Sequence, residues 1–496
     1  MAENNKGTYK ESLKAMSLFG GVQVVSIIVS IIKSKLVAIL IGPFGLGVVG
    51  LLQSTTTLVA SLTGLGLYQS GVRNISEAQS SGDNNKLSGV ISVFWRLIWL
   101  TGILGLTICA ILSPLLSEWT FGNKDYTLAF IILSITLLFQ QLTLGQNTIM
   151  QGLHKYQFMA KSSVIGNIIG LFVTVPLYYI WRIDAIVPVL VLTSITSLLL
   201  AFYYYKKVDV KKAPIDKTFM RSDGRNMLVM GITLSVTSLM EALIGNLIRV
   251  FINSQGGTDE VGLFTAGFAI VNTYVGLIFT AMGTDYYPRL SAVNKDQTAF
   301  NKLINNQMEI SLIILAPVIS IFIIFIELVI IILYSDKFLP CEGMMYYAVF
   351  GTYFKAFSWC IAFSYLAKGD AKMFVANELI AQLYVLPSQL IGYLYMGISG
   401  IGLAYLFNYI LYSLQVYIIC RKRYGVTIMK PAVKIFIEQV PFLSICLLIM
   451  HVVDGWSVYA IGLPVILISS FISYRELDKR VNLKESISAL INRKNG

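Results

Sequence analysis

The sequence has few charged residues for its length, and this scarcity excludes most soluble folds. Of its 496 residues, 13% are charged and 56% are hydrophobic, whereas a typical soluble domain carries about 25% charged residues. A surface that faces water cannot be built from this composition. We therefore expect lipid to be the main solvent of the chain.

The residue types that carry most catalytic and metal chemistry are also scarce. The only histidines are His154 and His451, and the five cysteines are scattered singly without a C-x-x-C pair. Disulfide frameworks and structural zinc sites need clustered spacing, so we expect buried, unreactive thiols. The sequence has no G-x-x-x-x-G-K-[ST] loop for ATP and no paired-carboxylate or Ser/His/Asp constellation. We predict no cofactor, no metal site and no enzymatic activity.

Long apolar runs are the feature that the sequence has in abundance. A helix needs about 20 mostly apolar residues to cross a bilayer. Fourteen runs meet this need, at 16–41, 45–67, 89–113, 127–150, 158–181, 184–205, 227–253, 261–283, 308–334, 345–367, 374–395, 399–419, 434–453 and 456–474. We therefore predict an all-α polytopic membrane protein with about 14 transmembrane helices.

Lysine and arginine are distributed unevenly between the segments that connect these runs. Thirty of the 38 fall in segments on one predicted side, three on the other and five inside the runs. Because cytoplasmic loops are rich in Lys and Arg, both termini are predicted to be cytoplasmic. The same distribution explains the net charge of +12 without nucleic acid, so no nucleic-acid partner is expected. The basic segment 206–226 suits anionic lipid headgroups.

The stretch GPFGLGVVG, from Gly42 to Gly50, contains the pattern G-x-G-x-x-G. A dinucleotide-binding loop follows a strand and needs an acidic residue about 20 positions later. Here the preceding apolar run is too long for a strand, and the next acidic residue is Glu77. We predict instead a turn at which Pro43 ends the first span and the glycines let two helices pack closely.

Two parts of the chain share one layout, with a cation in a span, a glycine-containing turn and an arginine that opens the next inner loop. The matching positions are Lys35, Gly47 and Arg73, and Arg249, Gly262 and Arg289. Transporters are often built from such repeats, although any two apolar hairpins look somewhat alike. The predicted domains are an N-terminal six-helix lobe at 1–205, a basic cytoplasmic loop at 206–226, a C-terminal six-helix lobe at 227–420, and a helix pair with a cytoplasmic tail at 421–496.

Five cations lie inside the predicted spans: Lys33, Lys35, Arg96, Arg249 and Lys355. A charge at the centre of a transmembrane helix costs about 2.5–3.5 kcal/mol, so such residues face a wet cavity or a partner unless they extend to the surface. Lys33 shares a helix face with Gln23, Ser26 and Ser30, whereas Lys35 lies on another face. Either lysine could face the cavity. A cation-lined cavity favours an anionic ligand such as phosphate.

Other polar residues in the spans have two interpretations each. Glu241 either pairs with Lys355 or couples transport to an ion gradient. Arg73 and Arg289 lie in inner loops rather than in spans, and they are candidates for a cytoplasmic mouth. Further polar side chains either link helices or bind sugars, and they include Gln53, Thr55, Gln140, Gln141, Gln146, Asn147 and Asn167.

The run KLVAILIGPFGLG, from Lys35 to Gly47, and the run QSGVR, from Gln69 to Arg73, resemble O-antigen and polysaccharide-repeat flippases of the Wzx type. These belong to the superfamily of multidrug, oligosaccharidyl-lipid and polysaccharide exporters. The resemblance implies a V-shaped pair of six-helix lobes in the bacterial inner membrane. It also implies alternating access that moves undecaprenyl-pyrophosphate-linked oligosaccharide, such as O-antigen repeats, to the outer leaflet. The family's basic position at the end of the first span matches Lys35.

The resemblance implies as partners a polyprenyl-pyrophosphate-linked oligosaccharide, membrane lipids, and the polymerase and chain-length proteins of the same pathway. The hairpin at 434–474 departs from the twelve-span layout and is similar to that of the lipid II flippases. Two other functions stay open. A cation-coupled multidrug exporter would carry an acid in the first lobe, where the spans have none at mid-depth. A non-transporting component of a polysaccharide assembly complex would share the topology.

Overall fold

The computed structural model describes residues 2–208 and 217–481, and all regular elements within these ranges are helical. The helices are α1 (Ala2–Gly64), α2 (Leu67–Ser80), α3 (Asn84–Ile111), α4 (Ser113–Phe121), α5 (Thr127–Gly152), α6 (Tyr156–Trp181), α7 (Ile186–Tyr205), α8 (Lys217–Gly256), α9 (Thr258–Ile270), α10 (Gly276–Ala292), α11 (Gln297–Ile324), α12 (Ile326–Leu333), α13 (Glu342–Ala367), α14 (Ala371–Tyr424), α15 (Lys430–Val452) and α16 (Ser457–Val481).

In the described ranges, ten helical stretches are long and apolar enough to cross a membrane. Three of them are interrupted: α1 at Gly42, the stretch α6–α7 at the 3₁₀ turn Arg182–Ala185, and α14 at Met396 and Gly397. The all-α prediction is confirmed. The number of fourteen spans stays a prediction.

The break in α1 lies in the glycine-rich stretch, where the sequence predicted a turn, and it is a kink between two helical segments. Gly42 has φ +65° and ψ −171°, a conformation that glycine adopts far more readily than other residues. Pro43 then opens the second segment of α1, where its missing N–H is no loss. Arg182 donates from Nη1 to the carbonyl oxygen of Leu40 at 3.1 Å, which satisfies a carbonyl at the end of the first segment.

Gly47 and Gly262, which hold matching positions in the predicted repeat, lie at the same close helix crossing. A Cβ atom on Gly47 would lie 1.9 Å from the carbonyl oxygen of Thr258, and one on Gly262 would lie 1.9 Å from that of Pro43. Each carbonyl belongs to the residue four positions before the other glycine. Exchanging the two repeats therefore exchanges the two contacts, which supports their equivalence.

The helix contacts divide the described chain into two compact units. The first runs to Gly262 and includes Leu333–Ser335, and the second comprises Leu263–Ile332 and the chain from Asp336. Helix α8 packs on α1 and α2 and so belongs to the first unit by packing. It begins at Lys217, inside the segment predicted as a loop, and residues 209–216 of that segment lie outside the described residues. The lobe boundaries stay a prediction.

Several helices occupy segments that the sequence predicted to be loops, outside the apolar runs. Helix α2 occupies much of the predicted loop 68–88, and α11 begins at Gln297, before the predicted residue 308. The side chains of Asp83 and Asp296 accept hydrogen bonds from backbone N–H groups at the starts of α3 and α11, which stabilises those first turns. Hydropathy detects only the apolar part of such helices.

The C-terminal part of the second unit is a helix pair, α15 and α16, which the sequence predicted. The pair packs on α11, a contact that the sequence did not predict. Gln439 of α15 bonds Ser469 and Ser473 of α16. Arg480 bonds Glu309 of α11 with 2.6 Å between Nε and Oε2. All five cysteines are free and buried, which confirms the expectation of buried thiols.

Candidate functional site: a polar cleft in the first unit

Two adjoining cavities lie among the membrane helices of the first unit. The first, which we call the Lys33 chamber, has a volume of about 440 Å³, and the second, the hydroxyl chamber, about 390 Å³. Small-molecule sites typically have volumes of about 300–1,000 Å³. The chambers share four lining residues, Thr143, Asn147, Thr193 and Ser197, which we call the junction. We therefore treat the two as one polar cleft.

Lys33 is the one charged side chain among the described residues that line the cleft. The other residues of its chamber are Ser26, Thr143, Asn147, Met159, Ala160, Ser162, Ser163, Gly166, Asn167, Gly170, Thr193 and Ser197. A Cβ atom on Gly170 would lie 3.9 Å from Lys33 Nζ, so the ammonium group reaches across to α6. In the described part of the chain no carboxylate forms an ion pair with Lys33. Its charge is available to an anion.

The hydroxyl chamber is polar but uncharged. Its lining residues are Gln53, Thr56, Leu133, Thr136, Gln140, Thr143, Leu144, Asn147, Leu190, Thr193, Ser194 and Ser197. Hydroxyl and amide groups of this kind form hydrogen bonds in both directions. The chamber therefore suits an uncharged ligand with many polar groups.

Short helical repeats of small or polar residues explain why a cleft forms here. On α6, Ser162, Gly166 and Gly170 are spaced four apart and so share one face. Glycine and serine leave space that larger side chains would fill. The pairs Thr143 and Asn147 on α5, and Thr193 and Ser197 on α7, repeat this spacing. Helix α1 adds a fourth polar face with Ser26 and Lys33, and the gap between the four helices is lined with hydrogen-bonding groups.

The structure distinguishes between the two lysines of the first span. Lys33 lines the cleft together with Ser26, whereas Lys35 is half-buried and is not among the lining residues. Of the predicted polar stripe, Ser30 is exposed, and the side chain of Gln23 lies outside the described residues. Both the helix-face argument from the sequence and the geometry of the cleft favour Lys33 over Lys35.

The other predicted cations of the first unit lie outside the cleft lining. Arg96 is exposed on α3, and Arg73 is exposed on α2 with Nη1 3.5 Å from Met230 Sδ. Arg249 is half-buried and donates from Nη1 to the carbonyl oxygen of Gly245 in its own helix at 2.8 Å.

Two predicted residues belong to the second unit. Lys355 is half-buried, and Arg289 is exposed and pairs with Asp285 at 2.9 Å. Glu241 is an exposed residue of the first unit. The pairing of Glu241 with Lys355 therefore stays a prediction, as does the role of Glu241 in coupling.

The structure sorts the polar residues of the spans into helix-linking and cleft-lining groups. Thr55 Oγ1 lies 3.0 Å from Thr120 Oγ1, and Gln141 Nε2 donates to Thr101 Oγ1 at 2.9 Å. The cleft-lining members are Gln53, Gln140, Asn147 and Asn167. The sequence did not single out Thr143, Ser162, Ser163, Thr193 or Ser197, because hydroxyl residues occur throughout the spans. Their four-residue spacing is the signal that could have identified them.

Known proteins of similar sequence are transporters and flippases. The chain is 25% identical over 310 residues to a protein of Shigella flexneri described as an O-antigen transporter, covering 60% of this chain and 71% of that protein. It is 21% identical over 409 residues to the lipid III flippase of Escherichia coli (strain K12), covering 77% of this chain and 91% of that protein. Neither is described as an enzyme.

Solved structures of the same fold agree with the helical architecture. One is described as the lipid II flippase MurJ in an inward closed conformation, with a TM-score of 0.70, 19% identity, and coverage of 93% of this chain and 99% of that one. Another is an inward-facing multidrug resistance MATE transporter of the MOP superfamily, with a TM-score of 0.64, 15% identity, and coverage of 81% and 94%. At this identity the likeness shows the fold alone.

Residues 36–342 match the sequence profile of a family described as polysaccharide biosynthesis protein. The match covers more than half of the chain and includes the second segment of α1, α5, α6 and α7, from which most of the cleft is built. The resemblance to polysaccharide-repeat flippases of the exporter superfamily is thereby confirmed. This multi-pass membrane protein belongs to the polysaccharide biosynthesis protein family.

Proposed function

We propose that this protein is a flippase for a lipid-linked oligosaccharide carried on a polyprenyl diphosphate. The lipid moves from the inner to the outer leaflet of a bacterial inner membrane by alternating access, and both termini face the cytoplasm. O-antigen or a related polysaccharide repeat is the cargo, and polymerase and chain-length proteins act on it afterwards. The names of the sequence relatives support this assignment.

The polar cleft carries the proposal, because it combines one cation with uncharged hydrogen-bonding walls. A diphosphate needs a cation and hydrogen-bond donors, and Lys33 supplies the charge from within a membrane helix. Sugars need hydroxyl and amide partners, which the rest of the cleft supplies. The polyprenyl chain stays in lipid, so only the headgroup requires a polar path.

The alternative of a cation-coupled multidrug exporter shares the fold. However, Lys33 would repel a cationic drug, and no acidic side chain lines the cleft among the described residues. The cleft therefore favours an anionic headgroup over an organic cation.

Charge reversal at two lysines of the first span tests the assignment. The purified full-length protein would be reconstituted into vesicles with a fluorescent polyprenyl diphosphate oligosaccharide, and the fraction that reaches the opposite leaflet would be measured by quenching. We expect Lys33→Glu to abolish flipping, because the carboxylate would repel the diphosphate. Lys35→Glu is the matched control, since it places the same charge in the same helix outside the cleft lining. It should retain most of the activity.

Two results would contradict the proposal. The first is flipping that survives Lys33→Glu while the variant remains folded in the membrane. The second is loss of flipping by Lys35→Glu alone, which would move the headgroup site away from the cleft. A deletion strain gives an independent readout, because lipid-linked repeat units should accumulate on its cytoplasmic leaflet.

A further inference from the structure

Arg182, in the short turn between α6 and α7, has a backbone conformation that residues other than glycine rarely adopt. Its φ is +50° and its ψ is −123°, and it is one of three non-glycine residues with positive φ in the part of the chain that the structure describes. Such a conformation costs free energy unless the residue is glycine. This position therefore keeps a side chain at a cost, and the side chain must supply something that glycine cannot.

The backbone and the side chain of Arg182 end two helices at once. Its N–H donates to the carbonyl oxygen of Tyr178, which closes α6, and its Nη1 donates to the carbonyl oxygen of Leu40 at 3.1 Å. Leu40 lies in the last turn of the first segment of α1. There the break at Gly42 and the missing N–H of Pro43 leave carbonyls without helical donors. Arg182 thus ties the first segment of α1 to the turn between α6 and α7.

Three of the four helices that line the Lys33 chamber meet at this tie. Lys33 lies on the first segment of α1, Gly170 on α6 and Thr193 on α7. Leu40 follows Lys33 by seven residues, about 10 Å along the helix axis. A movement of this end of the segment would therefore displace the ammonium group of Lys33 relative to α6.

The other contacts at this end of the segment leave its position less well defined. Val37 and Ile41 pack in an apolar cluster with residues of α6 and α7, and apolar contacts have no preferred direction. A Cβ atom on Gly42 would meet no atom of the described chain within 4 Å, so the joint between the two segments is not closely packed. A hydrogen bond from a guanidinium group has a defined direction, and it supplies what these contacts lack.

We propose that Arg182 is a positioning residue for binding of the headgroup. Its side chain holds the first segment of α1 against the turn between α6 and α7, and this keeps the ammonium group of Lys33 in the cleft. The strained backbone is retained because glycine could not form the tie. This inference rests on the proposed function and adds to it a residue that acts through Lys33 without touching the lipid.

Arg182→Gly tests the proposal, because it removes the tie and relieves the backbone at the same position. The probe is a polyprenyl diphosphate without sugar, and its affinity for the full-length protein in nanodiscs is measured beside the melting temperature. We expect the affinity to fall about fivefold while the melting temperature stays the same or rises, since glycine adopts positive φ readily.

His154→Gly is the matched control for this variant. His154 also has a positive φ, of +58°, in an exposed turn of the first unit, and its side chain bonds Tyr156, two residues away, at 3.1 Å. The variant relieves the same kind of strain at a distance from the tie. It should leave the affinity unchanged, and an equal fivefold loss would contradict a specific role of Arg182.

A distance within the first unit separates positioning from stabilisation. Nitroxide labels would be attached at Ile28→Cys on the first segment of α1 and at Tyr179→Cys on α6, since both side chains are exposed and the five native cysteines are buried. We expect double electron–electron resonance to give a narrow distance distribution that broadens when Arg182→Gly is added. Labels at Leu62→Cys, on the second segment of α1, and Tyr179→Cys are the control, and their distribution should not change.

Salt separates the tie from a simple attraction between charges. Arg182 is exposed, and the attraction of an exposed cation to a phosphate is screened beyond about 3 Å at a salt concentration of about 1 M. The ratio of affinities between the original protein and Arg182→Gly should persist from about 0.1 M to about 1 M salt. A ratio that falls to one at high salt would overturn the inference. An affinity loss with an unchanged distance distribution, or with a lower melting temperature, would do the same.

Failure of the proposed function would give a different set of results. If the probe lipid does not bind the original protein, or binds equally to Lys33→Glu, the headgroup site itself is wrong. If Lys33→Glu loses binding and Arg182→Gly keeps the original affinity, the headgroup site stands and the role of Arg182 is wrong.

Discussion

The two units surround a half-buried lysine in different ways. Lys33 of the first unit lies in a cleft of hydroxyl and amide groups. Lys355 of the second unit has Nζ 5.6 Å from the ring centroid of Phe279 and 5.5 Å from that of Tyr409, so aromatic faces stabilise its charge. Depth in a span shows only that a cation is embedded. Its neighbours decide whether the charge is available to a ligand.

Close glycine crossings and aromatic contacts both join the helices of this protein. In the first unit, glycines bring backbones into contact at both ends of the second segment of α1, since a Cβ atom on Gly66 would lie 2.0 Å from the carbonyl oxygen of Gly231. In the second unit, rings interlock, and Trp359 lies 5.0 Å from Phe363 and 5.7 Å from Tyr286 between centroids. The second unit also has a glycine crossing, since a Cβ atom on Gly402 would lie 2.1 Å from the carbonyl oxygen of Met344. The second unit therefore combines aromatic contacts with a close backbone crossing of its own.

The largest effect is expected from filling the glycine crossing of the first unit. Gly262→Val would force a side chain against the carbonyl oxygen of Pro43 and should destabilise the fold by about 3 kcal/mol. The loss is measured as the melting temperature in detergent, with size-exclusion chromatography as the readout of folded protein. Gly276→Ala in the second unit is the control, because no atom lies within 4 Å of the added Cβ. Equal melting temperatures for the two variants would show that the crossing is not close-packed.

Each unit has a buried asparagine that links two of its elements, and we expect replacement of the two asparagines to reduce stability by different amounts. Asn305 of the second unit donates to the carbonyl oxygen of Thr427 and accepts from the N–H of Met429, at 2.8 and 2.7 Å. Asn246 of the first unit bonds the hydroxyls of Ser54 and Thr55, at 3.1 and 2.9 Å. Hydroxyls can rotate to other partners, whereas the backbone groups of an extended segment cannot.

Leucine at each asparagine position tests this difference. Asn305→Leu should cost about 2 kcal/mol and Asn246→Leu about half as much, because an orphaned backbone group carries the full desolvation penalty. Thermal unfolding of both variants in the same detergent gives the comparison. A larger loss from Asn246→Leu would mean that the hydroxyls of Ser54 and Thr55 have no other partners in reach.

Much of the helical layout follows from the sequence, because apolar runs and flanking charges are imposed directly by the bilayer. The break at Gly42 and the C-terminal hairpin were predictable from Pro43 and from the two-residue gap Asp454-Gly455. The polar extensions α2 and the start of α11 were not, because caps such as Asp296 stabilise helices that hydropathy does not register. The helix face favoured Lys33, but the sequence alone left both Lys33 and Lys35 as candidates. The hydroxyl side of the cleft was not, because a hydroxyl that faces a cavity and one that faces a neighbouring helix look alike in one sequence.

Because aromatic rings stabilise the charge of Lys355, we expect its replacement to reduce the stability of the second unit moderately. Lys355→Met removes the cation that faces Phe279 and Tyr409 and should destabilise the fold by about 1 kcal/mol. Lys355→Arg, which keeps the charge, should retain most of the stability. Binding of a polyprenyl diphosphate that carries no sugar should stay within about twofold of the original affinity, because Lys355 does not line the proposed headgroup site. This change is small on a scale where a tenfold loss corresponds to about 1.4 kcal/mol. A loss of binding as large as that of Lys33→Glu would instead place Lys355 in the headgroup site.

The smallest expected effect is a loss of stability at low pH, which should be seen for an ion pair of the second unit and not for one of the first. In the second unit, the hydrogen bond from Arg423 Nε, 2.7 Å from Asp370 Oδ2, holds the pKa of the Asp370 carboxyl below its ordinary value of 3.8. Because the folded-state pKa is lowered, the pair contributes its full stability above pH 3.8 and loses it as the pH falls through the folded value. In the first unit, Lys124 and Glu118 are 69% and 59% exposed and 3.8 Å apart, so their pair should contribute almost nothing.

Neutral variants of the two acids complete this comparison. Asp370→Asn keeps the N-cap of α14, since asparagine caps helices as well as aspartate. It removes the charge and the oxygen that accepts from Arg423 and Tyr424. It should lower the melting temperature slightly at pH 6, and the difference from the original protein should shrink as the pH falls below about 4, near the ordinary aspartate pKa. Glu118→Gln should leave the melting temperature unchanged at every pH. If the effect of Asp370→Asn were instead constant from pH 6 to pH 3, the loss would come from the cap rather than from the ion pair, and the acid response of the second unit would lie elsewhere.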